Sequence, residues 1–273
     1  METITSPSNP RLRALARLKR RRDRDAAGVT LVEGVEETTL ALEAGARVRE
    51  AYWCPEFDDG RGEPLLAALR ERGVGVVRLS RAAFEKVAYR EGPDGMLAVL
   101  AAPGLTLAQF APPEPEFLLL AEHVEKPGNL GAILRTADAA GVHGVLAADP
   151  VTDWGNPNVV RSSKGAVFSV PVVSATTADT LAWLRQRGVS LVAATPDTDV
   201  LHTEADLTGP VAIAVGAEKE GLSRQLLDAA DVRVRIPMVG RVDSLNVATS
   251  AAVLLYEAVR QRGTDEGPGA VGS

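Results

Sequence analysis

The sequence predicts an α/β protein in two parts, and the second part is predicted to be a doubly wound parallel sheet covered by helices. Short apolar runs alternate with helix-like stretches along most of the chain, and several runs are continuous, as in strands buried on both faces. Four prolines between residues 101 and 116 are typical of a stiff linker. We therefore predict a domain over 1–103, a linker over 104–116, a domain over 117–263 and a loose tail over 264–273.

The first part begins with a helix-start pattern at Asn9 and Pro10, after which leucines recur at helical spacing among arginines. Short strands and helices then alternate, which is typical of a small α/β domain. Thr30–Glu33 is a short apolar run that leads into Gly34. The predicted strands are Ala51–Cys54, Val74–Leu79 and Met96–Ala101, and the predicted helices are Val35–Glu43, Pro64–Arg72 and Ala82–Ala88.

The second part alternates again, with apolar strands followed by helical stretches. The predicted strands are Phe117–Ala121, Gly144–Ala148, Ser190–Ala194, Val211–Val215 and Val232–Ile236. The predicted helices are Leu130–Ala140, Pro157–Lys164, Ala178–Arg187, Arg224–Ala230 and Asn246–Arg262.

Composition excludes several classes of protein. Cys54 is the only cysteine, so no internal disulfide is expected, and no Cys/His cluster has zinc spacing. The histidines, His123, His143 and His202, are scattered, and we expect structural roles for them and no metal. There is neither a signal-peptide pattern nor an apolar run of about 18 residues, so a cytoplasmic protein with no membrane contact is expected.

The formal net charge of −6 is unusual for a protein that binds nucleic acid, but the basic residues are clustered. Eight of the fourteen residues from Arg11 to Arg24 are basic. Such a stripe can attract phosphates, although a solvated basic helix without a ligand has the same pattern. The eight residues are Arg11, Arg13, Arg17, Lys19, Arg20, Arg21, Arg22 and Arg24.

Three segments follow predicted strands, where ligands bind in open α/β sheets. In the first, Glu122–Gly141, Asn129 is predicted to cap a helix that carries Arg135 and Asp138. A capped helix with an exposed Arg–Asp pair is the alternative, purely structural interpretation of this segment.

The second segment, Gly216–Ser223, has the glycine spacing of a phosphate loop. However, Leu222 stands where such a loop needs lysine, and Glu218 and Glu220 would repel phosphate, so nucleotide triphosphates are excluded. A glycine-flanked loop of this kind instead suits a neutral or cationic ligand.

The third segment, Ile236–Glu257, is a strand end, a loop around Gly240 and a long helix that begins near Asn246. Small residues in its first turns permit close approach of another backbone. No dinucleotide-binding glycine motif and no nucleophile elbow occur in the chain.

Together, and in this order, the three segments resemble the signature motifs of the SpoU (TrmH) family of RNA ribose methyltransferases. The matching stretches run from Asn129 through Arg135, from Gly216 through Leu222, and from Ile236 through Asn246. Arg161–Gly165 and the N-terminal segment also match the two-domain members, so the resemblance covers nearly the whole chain.

The resemblance implies properties that local sequence rules would not give. It implies a deep trefoil knot of the SPOUT type in the second domain, which is a rare topology. It also implies S-adenosylmethionine as cofactor and a homodimer formed through the knotted domains. The first domain is implied to be ribosomal-protein-like and to help bind RNA, with the basic stripe in contact with the RNA. The activity implied is methyl transfer to a ribose 2′-hydroxyl, most readily in 23S ribosomal RNA.

By resemblance, the catalytic residues are Arg135, Asn129, Glu218 and Asn246. The resemblance assigns the cofactor pocket to Ala194, Thr195, Gly216, Ile236, Met238, Ser244 and Leu245. Ser244 either binds the cofactor carboxylate or caps the helix. Family proposals make Arg135 a general base, but arginine stays protonated, so stabilisation of the developing charge or a grip on the 3′-phosphate fits better.

Two other kinds of function compete with a ribosomal RNA methyltransferase. A non-catalytic RNA-binding or ribosome-assembly protein on the same fold is disfavoured because Arg135, Glu218 and Asn246 are all present. A small-molecule enzyme would not explain the basic N-terminal run. Transfer RNA remains an alternative substrate.

Overall fold

The computed structural model describes residues Glu2–Gly263, so the predicted tail over 264–273 lies outside the described residues. The chain divides into two compact units. The first unit contains the residues up to Pro103 together with Asp153–Ser169, and the second contains Gly104–Thr152 and the residues from Val170 onward.

Strands and helices alternate along both parts of the chain. Up to Ala101 they are β1 (Thr3–Ile4), α1 (Pro10–Arg17), α2 (Arg21–Ala27), β2 (Val29–Glu33), α3 (Val35–Glu43), β3 (Val48–Trp53), α4 (Gly62–Glu71), β4 (Gly75–Leu79), α5 (Arg81–Val87) and β5 (Met96–Ala101). Thereafter they are β6 (Phe117–Glu122), α6 (Pro127–Ala139), β7 (Gly144–Ala148), α7 (Pro157–Ser162), α8 (Ala166–Ser169), β8 (Val172–Ala175), α9 (Thr177–Arg187), β9 (Ser190–Ala194), β10 (Val211–Val215), α10 (Arg224–Ala229), β11 (Val232–Val234) and α11 (Val247–Arg262).

The first unit is built on a five-stranded mixed sheet in the order β1-β4-β3-β5-β2. The pairs among β1, β4 and β3 are parallel, whereas β5 runs antiparallel to both of its neighbours. Its core includes the fully buried Leu12, Leu31, Tyr52 and Phe84. Strands and helices thus alternate in this unit around one mixed sheet.

The basic N-terminal run forms two helices, α1 and α2, rather than one. Asn9 caps α1 as predicted and accepts a hydrogen bond from Arg11 N at 2.8 Å. The break follows from Arg24, whose Nη1 turns inward and donates to the carbonyl oxygens of Leu18 (3.2 Å) and Lys19 (3.0 Å) at the end of α1. Leu18 is the C-cap of α1 and Lys19 follows it, so Arg24 binds the turn that separates the two helices.

The segment Asp153–Ser169 belongs to the second part in sequence but packs with the first unit. Both carboxylate oxygens of Asp153 accept from Nη2 of Arg24, at 2.8 and 3.0 Å, and the Thr30 hydroxyl donates to Gly155 O at 2.6 Å. Helix α7 packs against β2, the last strand of its sheet. The segment thus covers a sheet edge that would otherwise be open to pairing.

The second unit contains a six-stranded sheet in the order β11-β9-β10-β6-β7-β8, and all five strand pairs are parallel. This confirms the predicted parallel sheet. The sequence did not predict β8, an edge strand of four residues with only two buried valines, because so short a run has no clear periodicity. None of the helices between Glu2 and Gly263 is long and apolar enough to cross a membrane.

The proline-rich stretch 104–116, expected to be a linker, is packed as part of the second unit. Leu105 N donates to Val172 O at 2.8 Å. Phe110 is 4% exposed and stacks on Trp183 with a centroid distance of 5.4 Å. Gly144 makes room for this ring, because a Cβ there would lie 2.3 Å from Phe110 Cζ.

Arg24 and Asp153 form a largely buried ion pair in the first unit. Asp153→Ala is expected to lower the free energy of unfolding of this unit by about 3–5 kcal/mol. The reason is that the Arg24 side chain, only 2% exposed, would stay buried without its counter-charge. Urea denaturation measures the change in the free energy of unfolding, and hydrogen exchange of the backbone amides of α2 and β2 shows where the change lies. Arg22→Ala, an exposed neighbour, is the control and should cost less than about 0.5 kcal/mol. Equal costs for the two variants would contradict this account.

Candidate active site

Three loops of the second unit lie side by side because β9, β10 and β6 are neighbours in the parallel sheet. The carboxyl ends of parallel strands meet at one edge, where ligands bind in such sheets. The loops begin at Thr195 after β9, at Gly216 after β10 and at His123 after β6. His123 has a left-handed backbone, with φ of 52°, and turns the chain sharply toward α6.

The carboxylate of Glu218 joins the three sequence motifs in one hydrogen-bond network. Its Oε1 accepts from Nδ2 of Asn129 and from Nδ2 of Asn246, both at 2.8 Å. The Asn246 amide also donates to Asn129 Oδ1 at 3.1 Å. Three of the four predicted catalytic residues are therefore in direct contact, although up to 117 positions separate them in the sequence.

Two details of the predicted helix starts are corrected. Helix α6 begins at Pro127 with Lys126 as its N-cap, so Asn129 lies inside the first turn and its side chain is free to bind Glu218. Asn246 is the N-cap of α11, and its Oδ1 accepts from Ala248 N at 3.0 Å. The capping role considered for Ser244 is thus filled by Asn246.

Lys126 is a member of the site to which the sequence analysis gave no role. Its ammonium forms an ion pair with Oε2 of Glu218. This ion pair and the hydrogen bond from Asn129 hold the pKa of the Glu218 carboxyl below its usual range. The carboxylate therefore stays ionised and able to accept from both asparagines. The sequence feature that could have indicated Lys126 as a site residue is its place directly before the helix that carries Asn129.

The loop after β10 folds back on itself at Gly216. A Cβ at Gly216 would lie 2.2 Å from the carbonyl carbon and oxygen of Gly221 and 2.4 Å from Leu222 N. The turn is closed by a hydrogen bond from Gly221 N to Ala217 O at 2.9 Å, and Gly221 has a left-handed φ of 69°. Only glycine fits at Gly216, and the turn places Glu218 at its tip.

A pocket of about 500 Å³ opens beside this turn, which is within the usual range for small-molecule sites. Ala194, Thr195, Gly216, Ser244 and Leu245 line it. An adjoining pocket shares Ala194, Thr195, Ser244 and Leu245 and adds Ile236 and Met238. All seven residues predicted for the cofactor are therefore gathered in one region.

The chemistry of the pocket fits S-adenosylmethionine. Four acidic residues and one lysine line it, an excess of negative charge that suits a cationic sulfonium; they are Asp197, Glu218, Glu220, Asp243 and Lys219. Among the described residues, no backbone N–H from Ile236 to Asn246 has an acceptor, so this segment offers donors to an adenine or a carboxylate.

Arg135 stands apart from the network. Its side chain is exposed, and it has no hydrogen bond or ion pair with any residue between Glu2 and Gly263. Arg135 follows Asn129 by six residues, which turns it about 120° away around the helix. The structure thus brings together Asn129, Glu218 and Asn246 but not Arg135.

The basic run of the first unit divides into engaged and free side chains. Arg24 is buried, and Arg11 is bound to Glu2 and Glu50, so neither belongs to an open basic surface. Lys19 donates to Ala88 O at 2.9 Å, and Arg21 lies near Asp25 and Asp153. The exposed side chains without a partner in the described chain are Arg13, Arg17, Arg20 and Arg22.

Two family models match the chain. Residues 116–256 match the SpoU rRNA Methylase family. Residues 9–98 match the MRM3-like substrate binding domain. The first match contains the three motif stretches that end at Arg135, Leu222 and Asn246, and the second contains the basic run and strands β2, β3 and β4.

Individual relatives agree with these matches. The chain is 35% identical over 238 residues to the 23S rRNA (guanosine-2′-O-)-methyltransferase RlmB of Ralstonia nicotianae, covering 85% of this chain and 96% of that protein. A crystal structure of an RNA 2′-O ribose methyltransferase matches with a TM-score of 0.84 and 44% identity, over 95% of this chain and 99% of that one. The AdoMet-bound rRNA methyltransferase of Sinorhizobium meliloti matches with a TM-score of 0.87 and 30% identity, over 95% and 97%. The chain belongs to the SpoU family of rRNA methylases.

Proposed function

We propose that this protein transfers a methyl group from S-adenosylmethionine to a ribose 2′-hydroxyl of 23S ribosomal RNA. The observation that carries the proposal is the contact of Asn129, Glu218 and Asn246 beside a pocket that fits the cofactor. Membership of the SpoU family and the cofactor-bound relative support it.

The bound cofactor supplies an activated methyl group on a sulfonium, so the protein has two remaining tasks. It must align the ribose hydroxyl with that methyl group, and it must stabilise the charge that develops on the oxygen. Glu218 orders the two asparagine amides at the rim of the pocket. The backbone of Gly216, Ile236 and Leu245 holds the adenosine, and Met238 and Thr195 line its walls.

Arg135 supplies the positive charge in this proposal. Its guanidinium is exposed and unpaired in the described chain, so it is available to an RNA phosphate or to the reacting hydroxyl. Because arginine keeps its proton, it acts by lowering the pKa of the hydroxyl or by gripping the 3′-phosphate, not as a base.

The first unit binds the RNA through Arg13, Arg17, Arg20 and Arg22, whose exposed charges are free for phosphates. The match to a substrate binding domain supports this role. We also propose that this unit has a ribosomal-protein-like fold.

We further infer a trefoil knot in the second unit and a homodimer formed through it, in a cytoplasmic protein. The likeness to SpoU structures supports the knot. The exposed apolar side chains of Val239, Val242 and Tyr256 support a covering partner.

The decisive experiment is transfer of labelled methyl groups to 23S RNA from a strain that lacks this protein. We expect the label on one ribose, where methylation of the 2′-hydroxyl makes the following phosphodiester bond resistant to alkali. Arg135→Ala is expected to lower kcat by about 10²–10³-fold. Arg185→Ala, an exposed arginine on α9, is the matched control and should keep normal turnover. Label on transfer RNA but not on 23S RNA would contradict the proposed substrate. Normal turnover in Arg135→Ala would contradict the proposed catalytic role of Arg135.

The cofactor pocket is tested by Gly216→Ala. The added methyl would collide with the backbone of Gly221 and Leu222, so calorimetry should show loss of S-adenosylmethionine binding. Gly209→Ala is the control, because a Cβ there meets no atom within 4 Å. Unchanged binding in Gly216→Ala would show that the turn at Gly216 is not part of the cofactor site.

A further inference from the structure

Two consecutive residues of β6 hold the two ends of the segment Gly216–Ser223, which we call the Gly216 loop. Before the loop, Val215 of β10 pairs with Ala121 of β6. At its end, Ser223 donates twice to the carboxylate of Glu122, from its backbone N–H to Oε2 at 2.6 Å and from its hydroxyl to Oε1 at 2.7 Å. The loop is therefore closed at both ends on the same strand.

Glu122 is unusual because it is a fully buried acid, with 0% of its surface exposed. Its third donor is the hydroxyl of Thr177, which reaches Oε1 at 2.9 Å. No lysine, arginine or histidine of the described chain forms an ion pair with it. Burial of a carboxylate costs free energy unless its oxygens are well hydrogen-bonded, so a residue of this kind needs a reason to be there.

The three donors determine which chemical group fits this position. The backbone N–H of Ser223 can only donate, so Oε2 has to accept, whereas Oε1 accepts from the hydroxyls of Ser223 and Thr177. A glutamine would keep the Ser223 N–H contact only if its NH₂ group faced the two hydroxyls, which would then have to accept instead of donate. A carboxylate binds all three donors as they stand, because it can accept on both oxygens at once.

We propose that Glu122 is a positioning residue for cofactor binding. It fixes the end of the Gly216 loop, so that Gly216 and Leu222 stay at the wall of the pocket and Glu218 stays at its rim. Without this tie, the loop would have to be ordered when the cofactor binds, and that ordering would weaken affinity. Glu122 touches neither substrate nor reacting atoms in this role.

The chain offers a matched control, because the donors of Glu122 lie on two different elements. Ser223 belongs to the Gly216 loop, whereas Thr177 is the first residue of α9 and does not line the pocket. Loss of either hydroxyl removes one hydrogen bond to Oε1 of Glu122, and loss of the Ser223 hydroxyl also removes the N-cap of α10, whose cost the unfolding measurement reports. Only loss of the Ser223 hydroxyl loosens the loop.

The test is calorimetric binding of S-adenosylmethionine to the full-length protein, with unfolding measured in parallel. Glu122→Gln should raise the Kd about tenfold, which equals about 1.4 kcal/mol. Ser223→Ala should raise it about threefold, because the loop then loses one of its two hydrogen bonds to Glu122, and Thr177→Val should leave it within about twofold of the wild type, because Thr177 is not part of the loop. At saturating cofactor, kcat of Glu122→Gln should stay near normal.

Two outcomes would overturn the proposal. One is an unchanged Kd in both Glu122→Gln and Ser223→Ala. The other is an equal rise in Thr177→Val, which would mean that Glu122 supports the fold in general. If Glu122→Gln does not fold, the comparison of Ser223→Ala with Thr177→Val decides. The assay contains no RNA, so its result is independent of the proposed rRNA substrate.

Discussion

The Glu218 carboxylate is the constraint on which the rest of the site depends. Its two oxygens receive Asn129, Asn246 and Lys126, which come from the starts of two different helices. A single carboxylate can bind all three donors because its two oxygens offer about four acceptor positions. Removal of its charge is expected to weaken the hydrogen bonds that join Asn129 of α6 and Asn246 before α11 to the Gly216 loop.

That carboxylate is held in place by the sheet below it. The parallel order β9-β10-β6 brings three loops to one edge, and the close contact at Gly216 folds one of them tightly. Buried apolar strands supply the rigid base, and the polar groups at their ends supply the chemistry. This division lets irregular loops keep a defined geometry, since hydrogen bonds such as those of Ser223 to Glu122 fix them to the sheet.

Much of this arrangement follows from local sequence. Strands such as Val211–Val215 and Gly144–Ala148 are continuous apolar runs, and their predicted bounds are those observed. The sequence could not reveal contacts between distant segments, such as Arg24 with Asp153 or Lys126 with Glu218. It also misjudged residues 104–116, because prolines indicate a stiff backbone but not whether nearby side chains such as Phe110 are buried.

The central claim is that the motifs act as one unit through Glu218, and a double-mutant cycle tests it most directly. The cycle uses Asn129→Ala and Asn246→Ser, since serine keeps a helix cap while losing the amide donor. With kcat/KM for methyl transfer as the readout, we predict a coupling free energy above about 1 kcal/mol, so that the double variant is little worse than the poorer single one. If the fold-losses in kcat/KM of the two single variants multiply in the double variant, the two asparagines act independently and the shared network is contradicted.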